Sequence, residues 1–183
     1  LLIDGCEQVC FNNTASYYLK AGQVFSAGNN AVGECGQLHT IPSVKIPTIM
    51  KHLLSGGGST TAYSGIVSIH TGTTEDVVVL RGNDPSPSTI GGPSGISVCG
   101  YNAHGELGLG HTNVVSGLKD VGITNVSKVS VGTTNVFVVK NDGTAWGAGL
   151  NSAGGLAVGD WTNRTVFTKC SGIVASGVVG VYS

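Results

Sequence analysis

The chain has 183 residues, enough for one domain with a sizeable core, and only 10% of them are charged. A net charge of −1 and a pI near 6.5 argue against nucleic-acid binding, which needs a basic stripe to displace counterions. No stretch is apolar for long enough to cross a membrane as a helix, and Leu1-Leu2-Ile3 runs at once into Asp4, without the apolar core of a signal peptide.

Short runs rich in Val, Ile, Phe and Tyr follow one another along the chain, and they suit half-buried pleated strands. They are too short for stable helices and lack a sustained helical period. The first pair is Asn13 to Lys20 and Gln23 to Ala27, joined by Ala21-Gly22. A short helical turn is expected near Ile49 to Leu54, and Ser55 to Thr61 reads as a flexible glycine-rich loop without the lysine of a phosphate loop. Val67 to Leu80 carries a second apolar stretch, with Gly72-Thr73-Thr74 as a turn inside it. It is followed by the polar insertion Arg81 to Gly95 and the strand Ile96 to Cys99. The third unit runs from Val129 through Gly132-Thr133-Thr134 to Lys140. Asn141-Asp142-Gly143 then gives a strong hairpin signal before Thr144 to Ala148.

Each unit ends in one recurring turn. The copies begin Gly28-Asn29-Asn30-Ala31-Val32-Gly33, Gly100-Tyr101-Asn102-Ala103-His104-Gly105 and Gly149-Leu150-Asn151-Ser152-Ala153-Gly154, and all fit Gly-x-Asn-x-x-Gly. A repeat fixes architecture before any local assignment, and repeat folds usually work by presenting surfaces. Asn30, Asn102 and Asn151 are expected to bond to backbone within their own turns, as scaffold.

Gly100 to Gly110 resembles the signature loop of the chromosome-condensation-regulator (RCC1-type) repeat. So does Asp142 to Gly149 leading into Asp160 to Thr165. The first copy departs from the pattern, with Cys35-Gly36 where Leu-Gly is usual. The resemblance covers most of residues 9 to 173 and implies an all-β propeller built from four-stranded blades, seven to the ring, whose closure leaves only short edges.

Gly100 lies 49 residues before Gly149, one ordinary repeat, whereas Gly28 lies 72 before Gly100. The expected division is a first repeat over 1–54, a second over 55–122 with its insertion at 81–95, a third over 123–173, and the start of a further strand over 174–183. That makes about three and a half blades. An arc of this kind would expose apolar blade faces. Further chain, a second copy or another subunit would complete it, and a chain starting at Leu1 and stopping inside a strand-like run suits a piece of a longer polypeptide.

Chemistry finds little footing. The five cysteines are Cys6, Cys10, Cys35, Cys99 and Cys170. Cys6 and Cys10 are candidates for a disulfide, and Cys99 and Cys170 read as small buried residues. One Cys-x-x-x-Cys without a second pair does not make a metal site. The carboxylates are scattered, no nucleophile turn is present, and no cofactor is expected. Asn12-Asn13-Thr14, Asn125-Val126-Ser127 and Asn163-Arg164-Thr165 match the glycosylation pattern, which matters only in a eukaryotic secretory route.

Binding is the better prospect. Tyr101, His104 and Trp161 stand at variable positions in or just after the turns, and Arg81, Asn83 and Asp84 open the insertion. Trp146, inside a strand, is expected in the core. The composition, poor in charge and rich in Gly, Ser, Thr and Asn, suits extracellular β-proteins. The expected role is therefore a non-enzymatic virion tail or fibre component, using the propeller for adhesion to a host receptor or for assembly with other virion subunits, as a homo-oligomer or part of a larger assembly. The alternative, implied by the resemblance, is a propeller, secreted or otherwise, that regulates or inhibits a soluble protein.

Overall fold

A computed structural model describes residues 4–37, 41–51, 64–73, 94–172 and 177–179, with 76–81 as backbone. Alternation of small polar and β-branched residues between tight turns leaves the described residues all β, in three antiparallel sheets of four strands. The first holds β1 (Gln8–Phe11), β2 (Ala15–Lys20), β3 (Gln23–Asn29) and β4 (Ser43–Ile49). The second holds β5 (Ile66–Thr71), β6 (Asp76–Arg81), β7 (Gly95–Gly100) and β8 (Val115–Thr124). The third holds β9 (Val126–Val131), β10 (Asn135–Lys140), β11 (Ala145–Gly149) and β12 (Arg164–Lys169).

Each sheet is a plain meander, so strand order follows the chain. Asn141-Asp142-Gly143 makes the turn its sequence promised: Asp142 Oδ1 accepts from the Thr144 amide at 2.9 Å. A bulge recurs between the third and fourth strands at Ser26/Gly28, Val98/Gly100 and Gly147/Gly149. The three sheets therefore superimpose position by position, through the pairs Gly28↔Val44, Gly100↔Val115 and Gly149↔Arg164.

The core lies between sheets, one layer for each joint. Tyr17, Leu19, Val24 and Met50 of the first sheet meet Ile66, Ile69, Cys99 and Leu118 of the second. Ile96, Val98, Leu107 and Val115 of the second meet Val129, Val131, Val136 and Val138 of the third. First strands of successive sheets lie against each other, β1 on β5 and β5 on β9. Gln8 ties the first two together, giving its Nε2 to the Ile69 carbonyl at 2.7 Å and accepting the Ile69 amide at 2.8 Å. This is the radial stacking of propeller blades.

The expected helical turn from Ile49 does not begin there. Ile49 closes β4, the Met50 amide bonds across the sheet to Val24 O at 2.8 Å, and the Lys51 carbonyl accepts the Leu118 amide of the next blade at 2.9 Å. Backbone groups spent on neighbouring strands cannot join a helical ladder. Residues 52–54, and the loop at Ser55 to Thr61, lie outside the described residues.

After the third blade, the Val178 amide donates to Gly143 O at 2.9 Å, as the Ile66 amide donates to Gly22 O at 3.0 Å where the second blade opens. Gly177 and Gly65 precede them with the same positive φ, 72° and 78°. Three complete blades and this opening contact make up the partial propeller expected from the repeats.

Candidate functional site

The three signature turns occupy the loops between third and fourth strands, so they share one rim of the arc. Each is organised by its buried asparagine. Asn102 Nδ2 donates to the carbonyls of His111 at 2.9 Å and Asn113 at 3.0 Å, and its Oδ1 accepts the Leu107 amide at 3.0 Å. Asn151 repeats the pattern with Asp160 O at 2.8 Å, Thr162 O at 3.2 Å and the Leu156 amide at 2.8 Å. Asn30 does so with Ile41 O at 2.7 Å and the Cys35 amide at 3.0 Å. One side chain closes a loop of about twelve residues by serving as donor and acceptor at once, the reason the position takes asparagine.

Cys35 fills the slot of Leu107 and Leu156, and all are fully buried. Burial is the main cause that pushes its thiol up to about 11; a bond from Ser26 opposes the shift and the Glu34 charge adds to it.

Glu34 and Glu106 follow the second glycine of the first two turns, and both are fully buried. Glu34 Oε1 accepts from Asn29 Nδ2 at 2.6 Å and its Oε2 from the Val32 amide at 3.0 Å. Glu106 keeps the second kind of bond, from the His104 amide at 2.8 Å, but its Oε1 has no hydrogen-bond partner. The cause is one substitution between repeats: Tyr101 stands where Asn29 supplied the donor. The third turn has Leu150 and Gly155 at these positions and so lacks both members.

The glycines before these glutamates lie under the next blade. A Cβ on Gly33 would fall 2.4 Å from the Cα of Ser116, and one on Gly105 would fall 2.7 Å from the Cα of Thr165. Gly154, at φ 74°, has no such strand above it among the described residues; its nearest neighbour is the Trp161 ring at 3.7 Å.

Of the binding candidates, Tyr101 and His104 are half-buried in the second loop, and Trp161 is 74% exposed in the third. Arg81 closes β6 at the opposite rim, where the insertion leaves the sheet, so it is not brought together with them. Asn83 and Asp84 lie outside the described residues. Asp160, beside Trp161, is held below the usual carboxylate range, first by its bond from Arg164 at 2.6 Å and then by the Thr162 amide. Trp146, expected in the core, is half-buried at its edge: its Nε1 donates to Thr144 Oγ1 at 2.9 Å and the Lys140 ammonium stands 5.3 Å from the ring centre.

The disulfide considered between Cys6 and Cys10 is not formed in this structure. The Cys10 thiol donates instead to Ile69 O of the second blade at 3.3 Å. Cys99 and Cys170 are buried. Among the described residues no three of His, Cys, Asp and Glu converge as metal ligands, and no helix is long and apolar enough to cross a membrane. Sequence reading anticipated exposed apolar blade faces without naming their residues: Val9 and Phe11 of β1 are 56% and 77% exposed and belong to no motif.

No protein-family model and no curated protein matches the sequence. Solved structures do match the fold. Prp20p from Saccharomyces cerevisiae, whose structure was described with its binding to Gsp1p and histones, superimposes with a TM-score of 0.69 at 16% identity. The match takes in 92% of this chain and 39% of that one. The same yeast RCC1 (Prp20), with Kap60 bound to it, gives 0.68 at 17% identity over 92% and 37%. Human WBSCR16 gives 0.63 at 24% identity over 91% and 39%. The chain has an RCC1-like fold and spans about two fifths of the length of these structures.

Proposed function

We propose that this chain is a non-enzymatic protein-binding segment of an RCC1-like propeller, which meets its partner through the rim that carries the signature loops. The observation that carries this reading is Trp161. A tryptophan left 74% exposed on a loop fixed by Asn151 and by the Asp160–Arg164 pair is a rigid anchor that costs little entropy to immobilise. Tyr101 and His104 stand on the same rim one blade away. One neighbour in fold, yeast Prp20, is itself a protein binder, of Gsp1p, histones and Kap60, which supports a protein as the ligand class.

The finer reading is a structural or adhesive module of a virion tail or fibre, presented outside the cell and assembled with other virion subunits or a host receptor. Its support is composition: 10% charged residues and 30 glycines, with polarity carried by Ser, Thr and Asn. The second reading, regulation or inhibition of a soluble protein, is favoured by the protein complexes of that neighbour. Immunogold labelling of particles and fractionation of extracts from the source separate the two. Label on purified particles supports the virion role; recovery only in a stoichiometric soluble complex overturns it and supports the second. In either complex Trp161→Ala should weaken binding at least about tenfold while leaving the melting temperature unchanged. Unaltered affinity in Trp161→Ala and Tyr101→Ala together would remove the rim from the proposal.

A further inference from the structure

An open groove of about 330 Å³ lies in the joint between the second and third blades. Val121 and Ile123 of β8 form one wall, Trp146, Val166 and Phe167 of the third blade form the other, and Lys140 also lines it. Both walls belong to complete blades, so the groove exists whatever chain precedes or follows them. Val121 is buried, Ile123, Trp146 and Phe167 are half-buried, and Val166 is 52% exposed. Apolar side chains left half-covered around one hollow mark a place where a ligand can bury what the fold does not.

One register position distinguishes this joint from the one before it. The pairs Ser97↔Asp120 and Trp146↔Lys169 hold the same place in successive blades, counted back from Gly100 and Gly149. In the second blade Ser97 is fully buried, and its hydroxyl donates to Asp120 Oδ1 at 2.5 Å. In the third blade the pair is an indole and an ammonium, and there the groove opens. Directly opposed residues share a face of the sheet, so Lys169 leaves β12 on the side of Trp146. Lys119 leaves β8 on the side of Val98, which is buried in this same joint. Lys140 holds its ammonium 5.3 Å from the centre of the Trp146 ring. Three of the nine Lys and Arg residues thus border one groove, and none of the three forms an ion pair among the described residues. Asp142 lies near Lys140 and Lys169, but its Oδ1 already accepts from the Thr144 amide at 2.9 Å and the Thr144 hydroxyl at 2.6 Å. The groove is apolar along its floor and positive at its margins.

We propose that this groove takes an extended segment of a partner protein in which apolar side chains are flanked by carboxylates. The apolar side chains lie against Ile123, Trp146 and Phe167, and the carboxylates meet Lys119, Lys140 and Lys169. Two features select that occupant. An open wall suits the side chains of a passing chain, whereas a small molecule would keep much of its surface in water there. Unpaired ammoniums around an apolar floor repel cationic segments and attract acidic ones, so charge sets specificity while apolar burial supplies affinity. The site shares with the rim reading only the class of ligand. Trp161 does not line it, so either can fail alone.

The test titrates the nitrogen-labelled full chain with the peptide Glu-Glu-Leu-Ser-Phe-Glu-Glu. NMR follows the indole N–H signals of the two tryptophans, assigned with Trp146→Phe. The Trp146 signal should move and the Trp161 signal should stay, with a Kd on the order of 100 µM. Two control peptides, Lys-Lys-Leu-Ser-Phe-Lys-Lys and Glu-Glu-Gly-Ser-Gly-Glu-Glu, should each bind at least about tenfold more weakly. Lys140→Glu with Lys169→Glu should weaken the acidic peptide by the same factor. Lys45→Glu with Lys128→Glu makes an equal change in charge on exposed residues elsewhere, and it should stay within about twofold of the wild type. Melting verifies that both double variants fold; Lys119→Glu, exposed on the other wall, gives a second route to the loss, of about threefold. Binding that moves the Trp161 signal alone overturns the proposal. So does binding that both double variants weaken alike, or that the lysine peptide matches. An acidic peptide without effect at about 2 mM overturns it too, and laurate moving the Trp146 signal in its place would assign the groove to a small amphiphile instead.

Discussion

The second and third signature loops share their asparagine hub, their positive-φ glycine and a buried leucine, yet one is sealed and the other lies open. Gly105 has the backbone of Thr165 seated on it; Gly154 has only the edge of Trp161 nearby. The difference teaches that the loop's conformation is local and its surface role is positional. The asparagine network builds the same turn in either setting, and the presence of a following blade decides whether that turn is joint or surface.

Breaking the seal gives the largest expected effect. Gly105→Ala adds a Cβ into the Thr165 backbone at φ 81°, and it should cost about 4 kcal/mol from clash and left-handed strain together. Gly154→Ala, at φ 74° with only the Trp161 ring in ordinary contact at 3.7 Å, should cost about 1 kcal/mol. Urea melts of the pair measure the contribution of the joint; equal losses would mean that the seal is not held in solution. Asn102→Ala and Asn151→Ala should each lose about 3 kcal/mol, and by similar amounts, because both empty a hub that lies inside its own loop. A much smaller loss at Asn151 would show that the loop conformation also depends on the following blade.

Smaller effects sharpen the comparison. Tyr101→Asn restores the donor that Asn29 gives Glu34, and it should add about 1 kcal/mol by satisfying Glu106 Oε1; in Glu106→Gln the same change should gain less. His70, half-buried in β5 with Ser68 Oγ 2.9 Å from its Nε2, is held below its ordinary value near 6.5 by burial. The unfolded chain then takes up the proton first as pH falls, so this stability is full above about 6.5 and is lost as pH drops toward the depressed folded value. Melts at pH 8 and pH 5.5 should show a shallower fall in His70→Gln than in the wild type. Trp161→Ala should change stability by no more than about 0.5 kcal/mol, as suits a side chain that packs on little of its own protein.

Much of the fold was legible from the repeat. Two strands and a turn in each unit follow from apolar runs between turn residues, as Asn135–Lys140, Asp142-Gly143 and Ala145–Gly149 illustrate. The outer strands were harder to see. Ser43–Ile49 carries Lys45 and Pro47, and Arg164–Lys169 has no buried residue, because a fourth strand has a neighbour on one edge only and needs no alternating apolar pattern. β1 was missed for a related reason: Val9 and Phe11 face outward with Cys10 between them, so Gln8–Phe11 does not carry the periodicity of an inner strand. The site was legible only in part. Exposed Trp161 could be picked out as a residue without a scaffold role, whereas the Gly154 seat has the same motif as two sealed ones.

What the sequence determined by itself is the unit: a Gly-x-Asn-x-x-Gly loop closed by one amide side chain, and strands whose short-range turns fix their pairing. These depend on contacts within about fifty residues, which a repeated motif records. Only the tertiary structure decided which copy of each position is core and which is surface. Val9 and Val129 share a place in their strands, but burial is set by the blade next door, and a strand's own residues do not encode whether that neighbour is present.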